Sequence, residues 1–466
     1  MAARYDTIII GAGMSGLAAG IRLAQFDQRV VVLERHSLWG GLNSFYKLGG
    51  RRFDVGLHAL TNYAEPGQRG LPLTRVLRQL RIPLEALRLA PQRYSVTRLA
   101  DTELRFTNDL AVLRDEVAAH FPSQADGFDR LSADLHSYPP VVGDATSDLS
   151  TRKMLGGYLH DRRLVDLLLL PLLYYGSPTP HDMDWFSFRV LYKSIYEEGF
   201  GRPAGGVRTI LDVLRRRYGE LDGELRMRSG VERILQDQGR VCGVRLTDGT
   251  ELEADRVLSS AGWVETMRLC GGTLAEEYGQ ASGAGQLTFV ESISVLDCHP
   301  ADMGHDAAIT FFCTTDEFSY ARPDSPVDYT SGVVCCPDNY LASERAPEGT
   351  LRLTLLANYD RWASLPEPEY VALKEEVWDR GHAVIASFAP DIRPHTVFKD
   401  VFTPRTIEHF TGHVNGAVYG SPRKRRSGET PLPGLFLCGT DQGLLGIVGT
   451  LLSGISMANQ HALVGV

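Results

Sequence analysis

Paired cysteines are missing from this sequence. None of its seven cysteines forms a C-x-x-C, and the adjacent Cys335 and Cys336 would point to opposite faces of a strand. That excludes dithiol redox chemistry and leaves the set reading as reduced, mostly buried thiols of an intracellular protein. Long apolar runs are missing too. None reaches the roughly 18 residues a membrane span needs. The nearest candidate, Leu164–Tyr175, is short and interrupted by Pro171; it is read as a core helix, with a monotopic, membrane-dipping helix left open. The first strand begins almost at Met1, which leaves no export signal to be read and points to the cytoplasm. Positive charge is not in excess: 48 Lys and Arg against 57 Asp and Glu give a net charge of −9, so no nucleic-acid partner is expected. The one dense basic run, Arg423-Lys424-Arg425-Arg426, is read as a solvated loop, with contact to an anionic membrane surface as the alternative. Metal-ligand spacings, a nucleophile elbow and a Gly-Lys-Ser/Thr loop are also lacking, so no metal site is expected.

What is present is an ordinary globular composition, 43% hydrophobic and 23% charged, with length for roughly three domain-sized units. No repeat or low-complexity linker separates them, so the domains are expected to be interleaved. Tyr5–Ile10 is a continuous apolar run of the kind buried on both faces in a parallel sheet. Met14–Gln25 follows as a helix with Leu17, Ile21 and Ala24 on one face, and Arg29–Leu33 as the next strand, completing a βαβ unit. The middle, from about Leu73 to Leu214, reads as helical, punctuated by Pro72, Pro83, Pro122 and Pro139-Pro140. Val241–Leu246, Asp248-Gly249 and Glu251–Ala254 read as a hairpin, and Val257–Ser260 as a strand returning to the first sheet. Leu287–Leu296, Ala308–Cys313, Gly332–Cys336 and Leu351–Ala357 suggest an antiparallel sheet in a second domain. The fold class is therefore α/β: a Rossmann-like domain built from discontinuous segments plus an α+β domain with an antiparallel sheet.

The first turn carries the chemistry. Gly11-Ala12-Gly13-Met14-Ser15-Gly16 is a G-x-G-x-x-G, weak alone but here placed between a buried strand and a helix. Gly11 permits the tight turn, Gly13 lets the backbone approach a diphosphate, and Met14 and Ser15 open a helix whose free N–H groups face that anion. Glu34, followed by Arg35, ends the second strand where a carboxylate accepts bonds from ribose hydroxyls; an acid there argues against a 2′-phosphate. Three further features separate FAD from NAD. Trp39-Gly40-Gly41-Leu42-Asn43 brings a second Gly pair toward the diphosphate. Phe53-Asp54-Val55-Gly56-Leu57-His58 is the next. At the far end, Leu435–Leu437 leads through Cys438-Gly439-Thr440-Asp441 to Gly446-Ile447-Val448-Gly449 and a helix, whose N-terminus suits the electron-rich edge of a reduced flavin. Asp441 is placed to bond ribityl hydroxyls. The cofactor expected is one non-covalent FAD. Gly283-Ala284-Gly285 resembles a second fingerprint, but strand-like residues follow it. NAD(P)H therefore has no obvious domain, and electrons are expected to pass to or from a quinone, oxygen or an external carrier.

Together these pieces resemble the phytoene desaturase / carotenoid isomerase / retinol saturase family of the amine-oxidase-like superfamily. The match covers nearly the whole chain, most strongly at Ile8–Glu34, Gly40–His58, Pro203–Gly206, Ser229–Gly262 and Gly434–Asn459. The resemblance implies an FAD-binding domain from residues 1-72, 204-285 and 404-466, and a substrate-binding domain from 73-203 and 286-403. It implies that Val231 holds the adenine through its backbone, that Gly262 belongs to the cofactor site, and that the run ending in His58 lies beside the flavin ring. Two positions depart from the pattern: Leu42 stands where Arg is usual, and Gln442–Gly449 lacks Pro-Gly.

The chemistry implied is hydride exchange between flavin N5 and a carbon of a long apolar polyene or isoprenoid, as desaturation, saturation or isomerisation. Two alternatives stay open: oxidation or reductive cyclisation of a non-carotenoid polyene such as a polyketide intermediate, and an FAD-retaining protein that carries an apolar ligand. Leu164–Tyr175, Trp185, Phe186, Phe188, Tyr192, Tyr196 and Phe200 could wall a tunnel or simply be core. His58 is the catalytic candidate, as a proton donor or cofactor hydrogen-bond partner, against the alternative of a structural histidine. Glu197, Glu198 and His181 are weaker acid/base candidates.

Overall fold

The computed structural model describes residues 3–56, 58–137, 149–342 and 345–463. Pro139-Pro140 and Leu57 lie outside the described residues. The apolar run at the start forms the strand Ala3–Ile10, buried from Thr7 onward, and it sits in the middle of a seven-stranded sheet. Val30–Leu33 pairs parallel on one side of it, with Glu224–Arg226 beyond. On the other side lies Glu251–Ser259. That nine-residue strand unites two elements the sequence presents separately. Its beginning pairs antiparallel with Arg240–Leu246, which pairs in turn with Val231–Asp237. Its end runs parallel to both Ala3–Ile10 and Leu435–Leu437. The first and last parts of the chain thus share one sheet.

Close packing of helix on helix brings the two ends together. Met14–Ala24 and Gly446–Met457 approach so tightly that a Cβ on Gly454 would collide with the Ser15 carbonyl oxygen. Burial of Leu17, Ile21, Leu23, Leu451 and Ile455 in one cluster holds this arrangement, each such side chain contributing roughly 1.5–3 kcal/mol of transfer free energy.

The second sheet has seven strands in the order Thr396–Phe402, Thr288–Leu296, Gly349–Ala357, Val327–Cys335, Ile309–Cys313, Ser95–Leu99 and Thr102–Phe106. It is antiparallel except where Ile309–Cys313 runs parallel to Ser95–Leu99. The last two strands correct the helical reading of the middle segment. Ser95-Val96-Thr97-Arg98-Leu99 and Thr102-Glu103-Leu104-Arg105-Phe106 form a hairpin whose turn places Ala100 at φ +50°. Phe200–Pro203 is likewise a strand, between Leu60–Thr61 and Leu89–Pro91.

The apolar run around Pro171 is the helix Arg162–Gly176, with Pro171 inside it. Leu164 to Tyr174 are all buried, most of them in the core beneath the second sheet. A helix hydrophobic all round is an interior helix, which corrects the membrane-dipping alternative for this stretch. Among the described residues no helix is long and apolar enough to cross a membrane. The basic run is a loop with Arg423 exposed, but its other three side chains are half-buried and have partners. Lys424 Nζ donates to the carbonyl oxygens of Tyr419 (2.6 Å) and Thr440 (3.1 Å), Arg425 stacks on Trp263, and Arg426 pairs with Asp184.

Candidate cofactor and substrate cavity

Where the glycine turn meets the sheet, Gly11 has φ +97°, and a Cβ there would strike Ser260 Oγ. Gly16 packs against the Gly11 carbonyl oxygen, so any Cβ would collide with backbone. Gly13 is different: nothing lies within 4 Å of the position its Cβ would take. Facing it is Gly41, whose own Cβ would meet only Gly13 Cα, at 3.7 Å. Gly40, at φ +117°, donates its N–H to Ala12 O and bridges Gly13. Two glycine loops therefore leave bare backbone beside the N-terminus of Met14–Ala24, a helix that has no side-chain cap. Uncapped N–H groups next to open space are the donors an anionic diphosphate requires.

The acid that follows is held in place by backbone. Glu34 accepts from the N–H of Ala12 and of His36, both at 2.9 Å, and only 9% of it is exposed. Ser229 N–H bonds Glu34 O, and a Cβ on Gly230 would meet Arg35 Cβ, so the chain leading into Val231 runs past the end of the second strand. Arg35 donates to the carbonyl oxygens of Glu408 and His409, tying the helix Pro404–Thr411 over this end.

A cavity of about 480 Å³ runs from Glu34 past Gly41, Leu42 and Asn43 to His58 and on to Ile447. The other expected cofactor residues are not among those that line it. Gly11, Gly13, Met14, Ser15, Gly16, Gly40, Arg35 and Val231 are described above. Gly439 donates its N–H to Ser453 Oγ and packs on Ser15. Val448 is buried, and Gly449 packs against Leu444. Gly262, at the start of the helix Trp263–Cys270, packs on Glu265. Asp441 accepts from the N–H of Trp263 and of Ser421, both at 2.7 Å, so its carboxylate knits three chain segments together. The helix Gly446–Met457 also lacks a side-chain cap, and its first turn lines the cavity.

Beyond the glycines the wall turns apolar and aromatic: Tyr174, Tyr175, Phe289, Val333, Val418 and Tyr419. The phenol groups do not make it polar. Tyr174 OH pairs with Ser331 Oγ at 2.8 Å, Tyr175 OH bonds Ala59 O, and Tyr419 OH bonds Tyr174 O. Only Tyr174 and Tyr175 come from the aromatic stripe singled out in the sequence. Trp185, Phe188, Tyr192 and Tyr196 are core residues packed on one another, Phe200 stacks behind Tyr175, none of the five lines the wall, and Phe186 lies under Arg426.

One imidazole interrupts the greasy surface. His58 lines the cavity, and its carbonyl oxygen accepts from Tyr340 OH and Arg202 Nη1, both at 3.3 Å. Its Nε2 lies 2.9 Å from Glu291 Oε2 and 3.1 Å from Thr354 Oγ1. Thr354 Oγ1 also donates to Glu291 Oε2 at 3.0 Å. Arg352 grips the other carboxylate oxygen with two donors, the Nε one at 2.8 Å. Burial alone would raise the Glu291 carboxyl, but the Arg352 guanidinium and the His58 hydrogen bond bring it down to about 2. Burial pushes His58 the other way, below the ordinary histidine range. Sequence reasoning missed Glu291, Arg352 and Thr354. Glu197 bonds His136 and Glu198 accepts from Asn62, and neither they nor His181 reach the cavity wall. At the surface, Asp297, Cys298 and His395 bring three ligand-type atoms within 4.8 Å of one another, a grouping that chain spacing does not reveal.

Comparison with known proteins fits this geometry. The family model described as an NAD(P)-binding Rossmann-like domain matches residues 9–80, the same turn and strands that form the glycine cradle. The chain is 25% identical to the prolycopene isomerase of Arabidopsis thaliana, over 98% of this chain and 82% of that protein. It is 24% identical to the all-trans-retinol 13,14-reductase of Danio rerio, over 97% and 85%. The chain is a relative of these carotenoid and retinoid enzymes. Among solved structures, an oxidoreductase from Methanosarcina mazei superposes with a TM-score of 0.69 at 18% identity, covering 97% of this chain and 99% of that one. Putrescine oxidase bound to putrescine superposes at 0.62 with 16% identity and 98% coverage of both. The fold of this chain is thus the one these two solved structures share. The family match falls on the single glycine fingerprint and adds no second nucleotide site.

Proposed function

We propose that the chain binds one FAD non-covalently and is an oxidoreductase of long apolar polyenes or isoprenoids. The observation that carries this reading is one cavity that joins the glycine cradle to an aromatic wall with capped phenols. The bare backbone at Gly13 and Gly41, the fixed Glu34 carboxylate and two uncapped helix starts fit a dinucleotide. Leu42 and Asn43 on one side and Gly446 and Ile447 on the other would hold its flavin. When bound, FAD supplies a hydride-exchanging N5. The chain's own residues orient the apolar ligand, exclude water and offer His58 as the group that holds or moves a proton. The relatives' names, prolycopene isomerase and all-trans-retinol reductase, support a polyene and leave desaturation, saturation and isomerisation as the reactions one such site can run. Residues 1-72, 204-285 and 404-466 form the cofactor domain on this reading, and 73-203 and 286-403 the substrate domain.

The test is anaerobic photoreduction of the FAD-loaded protein, followed by mixing with all-trans-retinol, prolycopene or phytoene, and with a quinone or oxygen. Conversion of a polyene supports the proposal. A flavin that no acceptor reoxidises, in a protein that converts none of the three, marks a carrier of apolar ligands instead. His58→Ala should keep FAD bound while turnover falls at least about a hundredfold; turnover near wild type removes His58 from the mechanism.

A further inference from the structure

Glu291 has no role in any account based on the glycine motifs, yet it is a buried carboxylate placed against the His58 imidazole in the cavity wall. It projects from Thr288–Leu296, a strand otherwise filled with apolar and hydroxyl side chains and buried along its whole length. Directly opposite it in the ladder is Thr354, and Arg352 stands two residues along the same face. Removing such a carboxylate from water costs several kcal/mol, offset only by good partners. The partners are present: Arg352 occupies one oxygen, and Thr354 and His58 the other. A structural ion pair would need only Arg352. The second oxygen is spent on an imidazole whose ring reaches the cavity.

The bonding pattern dictates the tautomer. An ionised carboxylate can only accept, and Thr354 already gives its hydroxyl proton to it. The hydrogen between His58 Nε2 and Glu291 Oε2 must therefore sit on Nε2. Nδ1 has no hydrogen-bond partner among the described residues, and it keeps its lone pair. We infer that Glu291, anchored by Arg352 and Thr354, is a positioning residue that fixes His58 as the Nε2–H tautomer and makes its Nδ1 the atom that accepts a proton from the ligand. This rests on the polyene-oxidoreductase reading above. A proton taken from a ligand carbon binds at Nδ1, and the electron pair of that C–H bond stays in the ligand as the new π bond. Bound FAD would be the oxidant that takes the hydride from the neighbouring carbon, and saturation would run the same transfers backwards. The imidazolium so formed faces the Glu291 anion, which stabilises it, as in any base oriented by a buried carboxylate. The other charged and titratable groups around His58 are Arg352 on Gly349–Ala357, Arg202 on Phe200–Pro203, Cys335 on Val327–Cys335, and Tyr340. The two cations oppose a charged His58, and the carboxylate alone favours one.

The experiment is long-range ¹H–¹⁵N spectroscopy of ¹⁵N-histidine-labelled, FAD-loaded protein, with the His58 signals assigned through His58→Gln. At pH 7 the wild type should show a protonated, pyrrole-like Nε2 and an unprotonated, pyridine-like Nδ1. In Glu291→Gln the single tautomer should give way to a mixture, and Nδ1 should take up its proton at lower pH than in the wild type. Thr354→Val, which leaves the charges in place, should keep the wild-type tautomer. A wild-type His58 protonated on Nδ1 at pH 7 overturns the inference, as does a Glu291→Gln spectrum and titration identical to wild type. The wild-type measurement stands even if the glutamine variant does not fold. Failure to retain FAD counts against the proposed function, while the tautomer of the apoprotein still decides this inference.

Discussion

Adding one methyl group at Gly13 and one at Gly16 should separate cofactor binding from folding. The two positions sit on the same turn, yet their surroundings differ sharply. A Cβ on Gly16 would overlap the Gly11 carbonyl oxygen and touch Ile9 Cγ2 at 3.4 Å, so backbone must move. Overpacking of that kind costs about 1–3 kcal/mol, and here it also deforms the turn. A Cβ on Gly13 meets no protein atom within 4 Å. The residue caps a helix at φ −75°, which alanine adopts freely. Alanine is a poorer cap than glycine, but the reduced freedom of the unfolded chain returns roughly 0.4–1 kcal/mol. Gly13→Ala should therefore leave the unliganded protein within about 1 kcal/mol of wild type. If the diphosphate rests on the bare Gly13 backbone, the new methyl occupies that place. A clash costing about 1–3 kcal/mol on binding means roughly a 5- to 150-fold weaker Kd for FAD. The assays are urea unfolding of the apoproteins and flavin-fluorescence titration of each. Gly13→Ala binding FAD as tightly as wild type would refute the reasoning, as would a large loss of apoprotein stability in that variant.

Three further outcomes follow from other parts of the molecule. Leu170, fully buried in the helix Arg162–Gly176, should cost about 2–5 kcal/mol when changed to Ala, read as a lower urea midpoint. Lys424→Met leaves the carbonyl oxygens of Tyr419 and Thr440 without their donor; stability should fall by about 1–3 kcal/mol, and FAD affinity with it, since both residues line the cavity. The Glu291 carboxyl lies at about 2 in the folded chain, below its unfolded value of about 4.3. Its contribution is fully present above that unfolded value and is lost as pH falls toward 2. Urea unfolding between pH 5 and 3 should therefore show a shallower loss of stability in Glu291→Gln than in wild type, and equal slopes would contradict the ion-pair account.

The parts legible in the sequence were those set by local chemistry. A G-x-G-x-x-G between an apolar strand and a helix dictates its own conformation, and the Asp248-Gly249 turn does the same for its hairpin. The hairpin Ser95–Phe106 reads as helix in the sequence, because the Pro-punctuated helical texture around it masks its β-branched residues and alternation. The cavity wall was harder. Aromatic residues at helical spacing record that a face is buried, not what lies against it, so Trp185, Phe188 and Tyr192 went to the core while Phe289 and Tyr419 form the wall. Glu291 and Arg352 are 61 residues apart in sequence. Each looked like the polar half of an alternating strand, and only the ladder register shows that the polar positions face inward. A lone charge in the otherwise apolar and hydroxyl-bearing run Thr288–Leu296 was the available clue.

The account turns on FAD held between the two glycine loops and the C-terminal helix, and titration of the apoprotein with FAD, followed by visible absorption, tests this most directly. One equivalent per chain should bind, yield a yellow complex that survives gel filtration, and be released intact by denaturation. A protein that stays colourless at saturating FAD, while folded by circular dichroism, would contradict it.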